Sequence, residues 1–174
     1  KNEVEKVVDY IEYMRSKQME GLKDSLKTKA DHAYDIALNI YNENKEHRSR
    51  QEIEKMVKDA LRPIRYNNDR VYYFAIGIDG TVELVGEGAE FEGKNLRNIL
   101  DEEHRSVVKD MIDIASAAGE GTIEYTWRKP DHEDKDFKKL TYIRLFEPFN
   151  WIIGIGDYFD DNLEEYVTQE EFFG

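Results

Sequence analysis

The first 44 residues contain no proline and one glycine, Gly21, and this uninterrupted run is the feature that most constrains the fold. Apolar residues recur along it at spacings of three and four, which predicts one amphipathic helix from Asn2 to about Asn44. At about 1.5 Å per residue such a helix is about 60 Å long, more than a domain of this size needs. We therefore expect its early part to project, either as a dimer stem or as the continuation of a preceding membrane helix.

The next segments change from helical to strand patterns. Ser49, followed three residues later by Glu52, indicates a capping box that opens a second helix, QEIEKMVKDALRP, which Pro63 helps to end. Two β-rich runs in VYYFAIGIDGTVELVG are then joined by Asp79-Gly80, a strong signal of a β-hairpin.

The remaining pattern predicts the fold class. After a loop at 86–95 we expect helical segments through Ala118, then strands in TIEYTWRKP, LTYIRLFEP and WIIGIGDYF. The charged stretch DHEDKDFKK is expected to be a solvated loop, and a final helix is expected from about Asp160. Strand pairs joined by short turns predict an α+β fold with a five-stranded antiparallel sheet and helices packed against it.

Charge and composition exclude several classes of function. The formal net charge of -13 and the pI of about 4.8 repel polyanions, so neither nucleic acid nor anionic lipid is an expected partner. The chain has no cysteine and hence no disulfide or thiol chemistry. Its longest apolar stretches, WIIGIG and VYYFAIG, are far shorter than the roughly 18 residues of a membrane span. Its first residue, Lys1, and its amphipathic end lead us to expect a segment of a longer protein.

One loop resembles a phosphate-binding loop. In GAEFEGKNL, Gly88, Gly93 and Lys94 satisfy most of the G-x-x-x-x-G-K-[ST] pattern, but Asn95 replaces the required hydroxyl. Three glutamates crowd the same loop and oppose a phosphate, and the hairpin pattern does not fit the parallel sheet of such proteins. We therefore interpret the loop as a surface turn.

No set of residues predicts catalysis, a metal or a cofactor. The histidines have no partners at metal-ligand spacing, and neither Ser106 nor Ser116 lies in a motif that would activate a hydroxyl. Asp157, Asp160 and Asp161 lack the glycine and the distal glutamate of an EF-hand, so a helix cap is the expected role there. The histidines are His32, His47, His104 and His132.

Alternation along the last three strands predicts a candidate binding surface. Two faces carry aromatic and cationic side chains, and a third carries glycines, which leave room for a ligand or for a neighbouring backbone. These groups suit a small carboxylate, but the same residues could equally fill the core and its rim. The faces are Ile123, Tyr125, Trp127 and Lys129; Tyr142, Arg144 and Phe146; and Ile152, Gly154, Gly156 and Tyr158.

The order and spacing of these motifs resemble the single Cache domain family of extracytoplasmic sensor modules. The resemblance covers roughly residues 30–162 and is carried by VYYFAIGIDGTVEL, EGKNL, GEGTIEYTWRKP, LTYIRLFEPFNW and WIIGIGDYFDD. It implies a PAS-like antiparallel sheet with the long first helix on one face and a small-molecule pocket, covered by short helices and loops, on the other. The implied division is helices at 1–65, a sensor core at 66–162 and a C-terminal helix at 163–174, in one domain.

The resemblance also implies site residues. Tyr125, Trp127 and Lys129 match the family's Y-x-W-x-K strand, and Arg144 stands where a basic residue is usual. Many members have His-Pro after the second strand, where this sequence has Val85-Gly86. The implied ligand-binding residues are Tyr73, Tyr125, Trp127, Lys129, Tyr142, Arg144, Gly156 and Tyr158.

The implied function is sensing, not catalysis. The resemblance predicts the extracytoplasmic part of a chemoreceptor or sensor histidine kinase in an inner or plasma membrane, flanked by transmembrane helices. The implied ligand is a small organic acid such as acetate, propionate, pyruvate or lactate, with Lys129 and Arg144 holding its carboxylate. A homodimer through the first helix is a further expectation, and a structural or dimerisation module without a ligand is the alternative function.

Overall fold

The computed structural model describes residues 2–101, 103–129 and 132–159; the side chains of residues 128, 129 and 132–136 lie outside this description. The described chain forms three α-helices and six strands, together with two short 3₁₀ helices at Ala89–Phe91 and Glu147–Phe149. In chain order these are α1 (Glu3–Asn44), α2 (Arg50–Leu61), β1 (Arg65–Tyr66), β2 (Val71–Gly77), β3 (Val82–Val85), α3 (Val107–Ala118), β4 (Glu120–Lys129), β5 (His132–Phe146) and β6 (Trp151–Tyr158).

The strands form one antiparallel sheet. Its order is β1-β2-β6-β5-β4, and β3 pairs with β2 through the hairpin at Asp79-Gly80. The α+β class and the PAS-like arrangement predicted from the sequence are therefore confirmed, with a sixth strand, the two-residue β1, added to the five predicted. The capping box of α2 is also confirmed, because Ser49 accepts a hydrogen bond from the Glu52 amide and the Glu52 carboxylate accepts one from Ser49.

Helix α1 packs across one side of the sheet, which we call the α1 face. Its small residues Ala30, Ala33 and Ala37 are fully buried, so the helix axis can lie close to the strands. These alanines share a core with large side chains of the sheet, including Tyr73 and Trp151. The long helix predicted from the sequence is confirmed, with 42 residues.

The beginning of α1 is exposed. No described residue of the helix before Leu26 is buried, and apolar side chains such as Val4 (72%) and Tyr13 (58%) are largely open to solvent. This agrees with the expectation that the early part of the helix projects. Nowhere in residues 2–101, 103–129 and 132–159 is a helix both long and apolar enough to cross a bilayer.

The opposite side of the sheet, which we call the α3 face, carries a second core. Helix α3 contributes Val107, Met111 and Ile112, and the sheet contributes Phe74 and Ile152 among others. Between β3 and α3 the chain crosses this face in turns and one 3₁₀ helix. The space beneath that crossing contains the candidate site.

Two expectations about secondary structure are wrong. Among the described residues of 96–106 there is no helix, and α3 begins only at Val107, where the Ser106 side chain accepts a hydrogen bond from the Lys109 amide. The stretch expected to be a solvated loop is instead strand from His132 onward. It pairs with β4, and Phe137 lies opposite Trp127. Antiparallel pairing tolerates polar residues on a strand, so the charge of this stretch did not exclude a strand.

Two other expectations concern the C-terminal helix and the division of the chain. The final helix from about Asp160, and with it the range 163–174, lies outside the described residues. The proposed division at residues 65 and 162 stays a prediction.

Replacing Ala33 with leucine should destabilise the fold. The Ala33 side chain is 0% exposed between α1 and the sheet, so added methyl groups must push the helix away, at a cost of about 1–3 kcal/mol. The measurement is urea-induced unfolding of the wild type and of Ala33→Leu. Asn39→Leu, at an exposed position of the same helix, is the control. Equal unfolding midpoints for all three proteins would contradict the tight packing of α1.

Candidate functional site

A cavity of about 150 Å³ lies on the α3 face, between the sheet and the segment that links β3 to α3. Strands β2, β4 and β5 form its floor, and its lining is mainly apolar. The charged side chains that line it are Glu87, Asp101 and Lys139. The lining residues are Tyr72, Phe74, Ile76, Val82, Val85, Glu87, Phe91, Leu96, Ile99, Leu100, Asp101, Val107, Val108, Met111, Tyr125, Thr126, Trp127 and Lys139.

Lys139 brings a buried ammonium to this cavity. The side chain is 6% exposed, and the register of the sheet places it between Tyr125 on β4 and Tyr158 on β6. Its nitrogen lies 5.4 Å from the ring centroid of Tyr72, 6.0 Å from that of Tyr125 and 5.6 Å from that of Tyr158. No hydrogen bond or ion pair joins the ammonium to a described residue. Three aromatic rings therefore surround a cation that lacks a direct counter-ion in this part of the chain.

Burial lowers the pKa of Lys139 from its ordinary value of 10.5 to about 8, while the charge of Asp157 acts in the opposite direction. Asp157 binds other groups. Its carboxylate accepts a hydrogen bond of 2.9 Å from the Asn67 amide and lies 3.1 Å from the Arg70 guanidinium. Asp157 therefore contributes a field at Lys139 without forming a contact to it.

Gly156 makes room for Lys139. A Cβ atom at this glycine would lie 2.2 Å from Thr141 Oγ1 and 2.7 Å from Lys139 Cε, so any larger residue would displace both side chains. Gly154 similarly makes room for the ring of Phe74, which would lie 2.3 Å from a Cβ atom at that glycine. The space predicted above the glycines exists, but neighbouring side chains fill it.

Tyr125 and Trp127, which alternation predicted on one face of β4, both line the cavity. The Tyr125 hydroxyl lies 2.8 Å from Thr141 Oγ1, and burial raises the pKa of this tyrosine. Trp127 is 38% exposed at the cavity mouth, with its ring centroid 6.2 Å from that of Tyr125 and 6.5 Å from that of Phe91. Both residues therefore remain candidates for contacting a ligand.

Tyr73, Tyr142 and Arg144 lie on the α1 face, away from the cavity. The expectation that Arg144 and Tyr142 share a surface with Tyr125 is wrong because Tyr125 pairs with Lys139, which puts even-numbered residues of β5 on the opposite side. Tyr73 donates a hydrogen bond of 2.6 Å to the Lys29 carbonyl of α1.

Arg144 and Tyr142 bind α1 through a polar network. The Arg144 guanidinium lies 2.7 Å from Asp31 Oδ1 and 3.7 Å from the ring centroid of Tyr34. The Tyr142 hydroxyl donates to Glu120, whose carboxylate also lies 2.8 Å from the Lys27 ammonium. These contacts join β4 and β5 to the helix.

The other two predicted residues are placed differently. Tyr158 lies on the α3 face with its ring beside Lys139. Lys129 ends β4, but its side chain lies outside the described part, so its predicted contact with a carboxylate stays a prediction.

Lys139 is the basic lining residue that sequence reasoning missed; the acidic lining residues Glu87 and Asp101 were not predicted as site residues either. It belonged to the stretch expected to be a solvated loop, although the alternation of β5, extended by two residues from Thr141, places it on the α3 face. The sequence does not reveal the register between β4 and β5, which places Lys139 directly beside Tyr125.

Two arginines hold the wall of the cavity near its mouth. The Arg65 guanidinium donates to the carbonyls of Arg62 (2.5 Å), Ile64 (3.0 Å) and Gly86. Arg62 also pairs with the Glu92 carboxylate. Gly86, in the pair that departs from the family's His-Pro, has no room for a side chain because a Cβ atom would lie 2.7 Å from that of Tyr72 and 3.0 Å from Arg65.

The described residues form neither a metal site nor a phosphate site. Within residues 2–101, 103–129 and 132–159 no three histidine or carboxylate side chains are grouped to hold a metal ion. The loop around Gly88 and Gly93 continues into an antiparallel bridge between Thr81 and Asn95, not into a helix. Its interpretation as a turn agrees with this geometry.

Comparison with known proteins identifies the family of this chain. Residues 1–170 match the sequence pattern of the Cache domain. Methyl-accepting chemotaxis protein McpP of Pseudomonas putida is 28% identical over 121 residues, which cover 70% of this chain and 22% of that protein. The chain thus spans about a fifth of the length of this curated relative.

Two solved structures share the fold. A methyl-accepting chemotaxis protein from Vibrio parahaemolyticus has a TM-score of 0.74 at 24% identity, with 87% of this chain and 98% of that chain covered. A Cache chemosensory domain whose structure explains carboxylic acid recognition has a TM-score of 0.69 at 24% identity, covering 81% and 98%. At this identity the likeness establishes the fold.

Lys139 should make stability depend on pH. Between its folded pKa of about 8 and its ordinary value of 10.5 the unfolded chain holds one more proton, so raising the pH through this window stabilises the folded protein. Lys139→Met should remove that dependence and, below pH 8, raise the free energy of unfolding by about 1–3 kcal/mol.

The measurement is urea-induced unfolding on both sides of that window. Lys138→Met, at the exposed neighbouring position, is the matched control because it removes the same charge. If Lys139→Met and Lys138→Met gave the same pH profile as the wild type, Lys139 would not be a buried cation.

Proposed function

Because the chain belongs to the Cache domain family, we propose that it is the extracytoplasmic ligand-binding sensor of a transmembrane receptor. We propose further that its ligand is a small organic acid. The likeness to McpP favours a chemoreceptor as the parent protein, and a sensor histidine kinase is the other parent that fits a sensing module. In this proposal the module performs no chemistry, and membrane segments of the parent flank it.

The observation that carries the ligand class is the buried ammonium of Lys139. A buried cation is costly unless a counter-charge binds it, and the described residues offer this one only aromatic rings at 5.4–6.0 Å. A ligand carboxylate in the cavity would provide that counter-charge through charge-assisted hydrogen bonds. Tyr72, whose hydroxyl has no hydrogen-bond partner among the described residues, lines the same cavity and can donate a second hydrogen bond.

The size and lining of the cavity support a short ligand. A volume of about 150 Å³ equals that of an engineered protein cavity that holds benzene, a molecule of six heavy atoms. Acetate, propionate, pyruvate and lactate have between about four and six heavy atoms, so they match this volume. The apolar lining suits a short aliphatic tail. The solved Cache neighbour that recognises carboxylic acids has the same fold, which is consistent with this ligand class.

Strand β5 offers a route by which the ligand could act on α1. Lys139 lines the cavity, while Tyr142 and Arg144 bind α1 from the other side of the same strand. A ligand that binds one arrangement of β5 more tightly than another shifts the population of the α1 contacts by that difference in affinity. In this proposal the Arg144–Asp31 ion pair is part of the link between pocket and helix.

The exposed start of α1 favours a homodimer of the sensor. Val4, Val7, Ile11 and Met14 follow a spacing of three and four that forms a narrow apolar stripe, the pattern of two-helix coiled coils. Val4 and Val7 are 72% and 44% exposed, so the stripe has no cover within the described chain. We propose that the same stripe of a second copy covers it. This contact would also exist in the alternative function, a structural module without a ligand.

Ile11→Glu should weaken the dimer. A carboxylate in the stripe of both helices would be buried and would repel its copy, so the sedimentation coefficient should fall to that of a monomer. Ser16→Glu, which adds the same charge on the opposite side of α1, is the control. A wild-type protein that is already monomeric at all concentrations tested would refute the proposed contact.

A ligand panel distinguishes the sensor from the structural module. Thermal unfolding should shift upward with acetate, propionate, pyruvate or lactate, since a ligand at 100 times its Kd adds about 2.7 kcal/mol to stability. Lys139→Met should weaken this binding by at least about tenfold, because it removes a charge-assisted hydrogen bond, whereas Lys138→Met should not. No shift of the wild type with any acid would favour the structural module. If the thermal shift is unchanged in Lys139→Met, the ligand carboxylate does not bind Lys139.

A further inference from the structure

The two acidic side chains that line the cavity differ in their contacts. Asp101 is engaged within its own segment, because its Oδ1 accepts hydrogen bonds of 2.9 Å from the amides of Glu103 and Arg105. Glu87 is exposed, and no described residue pairs with its carboxylate. Glu87 is thus the lining carboxylate whose charge is not offset by a contact within the described chain.

The backbone directly before Glu87 is held in place. Gly86, directly before it, accepts a hydrogen bond from the Arg65 guanidinium, and Glu92 accepts one of 3.1 Å from the Val85 amide. The Glu92 carboxylate is itself paired with Arg62. These bonds fix the segment that carries Glu87 against the cavity wall.

The position of Glu87 relative to Tyr72 places its charge beside the proposed ligand. Both residues line the cavity, and the charge of Glu87 helps to raise the pKa of Tyr72, after the larger effect of burial. Tyr72 in turn has its ring 5.4 Å from the Lys139 ammonium. A positive charge therefore lies at the buried side of the cavity, and an unpaired negative charge lies at its exposed side.

We propose that Glu87 determines ligand selectivity by rejecting acids that carry a second carboxylate. This inference rests on the proposed function, in which Lys139 binds one carboxylate. Lys139 is the basic residue among the described lining residues, and the nearby Arg65 guanidinium, which does not line the cavity, already donates to three backbone carbonyls. A second carboxylate pointing toward the mouth would therefore lose hydration without gaining a direct counter-charge. Glu87 would add like-charge repulsion, so the discrimination comes from a repulsive element against the wrong ligand.

Three ligands on nearly the same carbon frame test this inference. Propionate carries one carboxylate, malonate replaces its methyl group with a second carboxylate, and β-alanine adds an ammonium at the far end. Their Kd values are measured by titration calorimetry for the wild type and for Glu87→Gln, at a pH where both malonate carboxylates are ionised. Glu90→Gln, which removes the same charge from an exposed position outside the lining, is the control.

The expected result is a change in the ratio of affinities. Glu87→Gln should tighten malonate relative to propionate by about tenfold and should weaken β-alanine relative to propionate, because two charges across a partly exposed cavity still interact appreciably. Glu90→Gln should leave both ratios unchanged.

The failures of the two proposals are distinguishable. If propionate binds the wild type through Lys139 but the malonate-to-propionate ratio is the same in Glu87→Gln, the selectivity role of Glu87 is refuted and the proposed function stands. A wild type that binds malonate as tightly as propionate gives the same conclusion. If Glu90→Gln changes the ratios equally, the effect is the overall charge of the protein. If propionate does not bind at all, the proposed function and this inference both fail.

Discussion

The register between β4 and β5 decides which side chains reach the cavity and which reach α1. Tyr125 is opposite Lys139, so from Phe137 to Phe146 the odd-numbered residues of β5 face α3 and the even-numbered residues face α1. Both faces of the strand are buried, and a slip of one residue would exchange them. It would turn Arg144 toward the α3 face and remove Lys139 from the cavity. The cavity, the network on α1 and the charge of the site all depend on this one pairing.

Most of the fold could be predicted from the sequence because its signals are local. The spacing of apolar residues in α1, the capping box at Ser49 and the Asp79-Gly80 turn each act within a few residues of chain. The errors arose where local pattern and tertiary pairing disagree. The segment 96–106 has apolar residues at helical spacing but is not helical where it is described, and the charged start of β5 is strand because β4 pairs with it.

The candidate site was less predictable for a physical reason. Alternation groups residues correctly within one strand, as for Tyr125 and Trp127, but it does not say which face of the next strand lies beside them. Tyr142 and Arg144 were therefore joined to the wrong surface, and Lys139 was missed. Gly156 was associated with a pocket, but its effect is indirect, because it leaves space for the Lys139 side chain. The family resemblance predicted the fold and the class of ligand that we propose. Only the register of the sheet identifies Lys139 as the cation of the cavity.

In the proposed sensor, the exposed part of α1 would act as a lever arm. Met19 is the first residue of the helix that packs against the core, so about 24 Å of helix lies ahead of that pivot at about 1.5 Å per residue. A tilt of only about 5° at the sheet would then move the first turn sideways by about 2 Å, the size of helix shifts that switch other proteins. In the proposed sensor, this part of α1, which contributes nothing to the core, would therefore amplify a small tilt at the sheet in proportion to the distance from Met19.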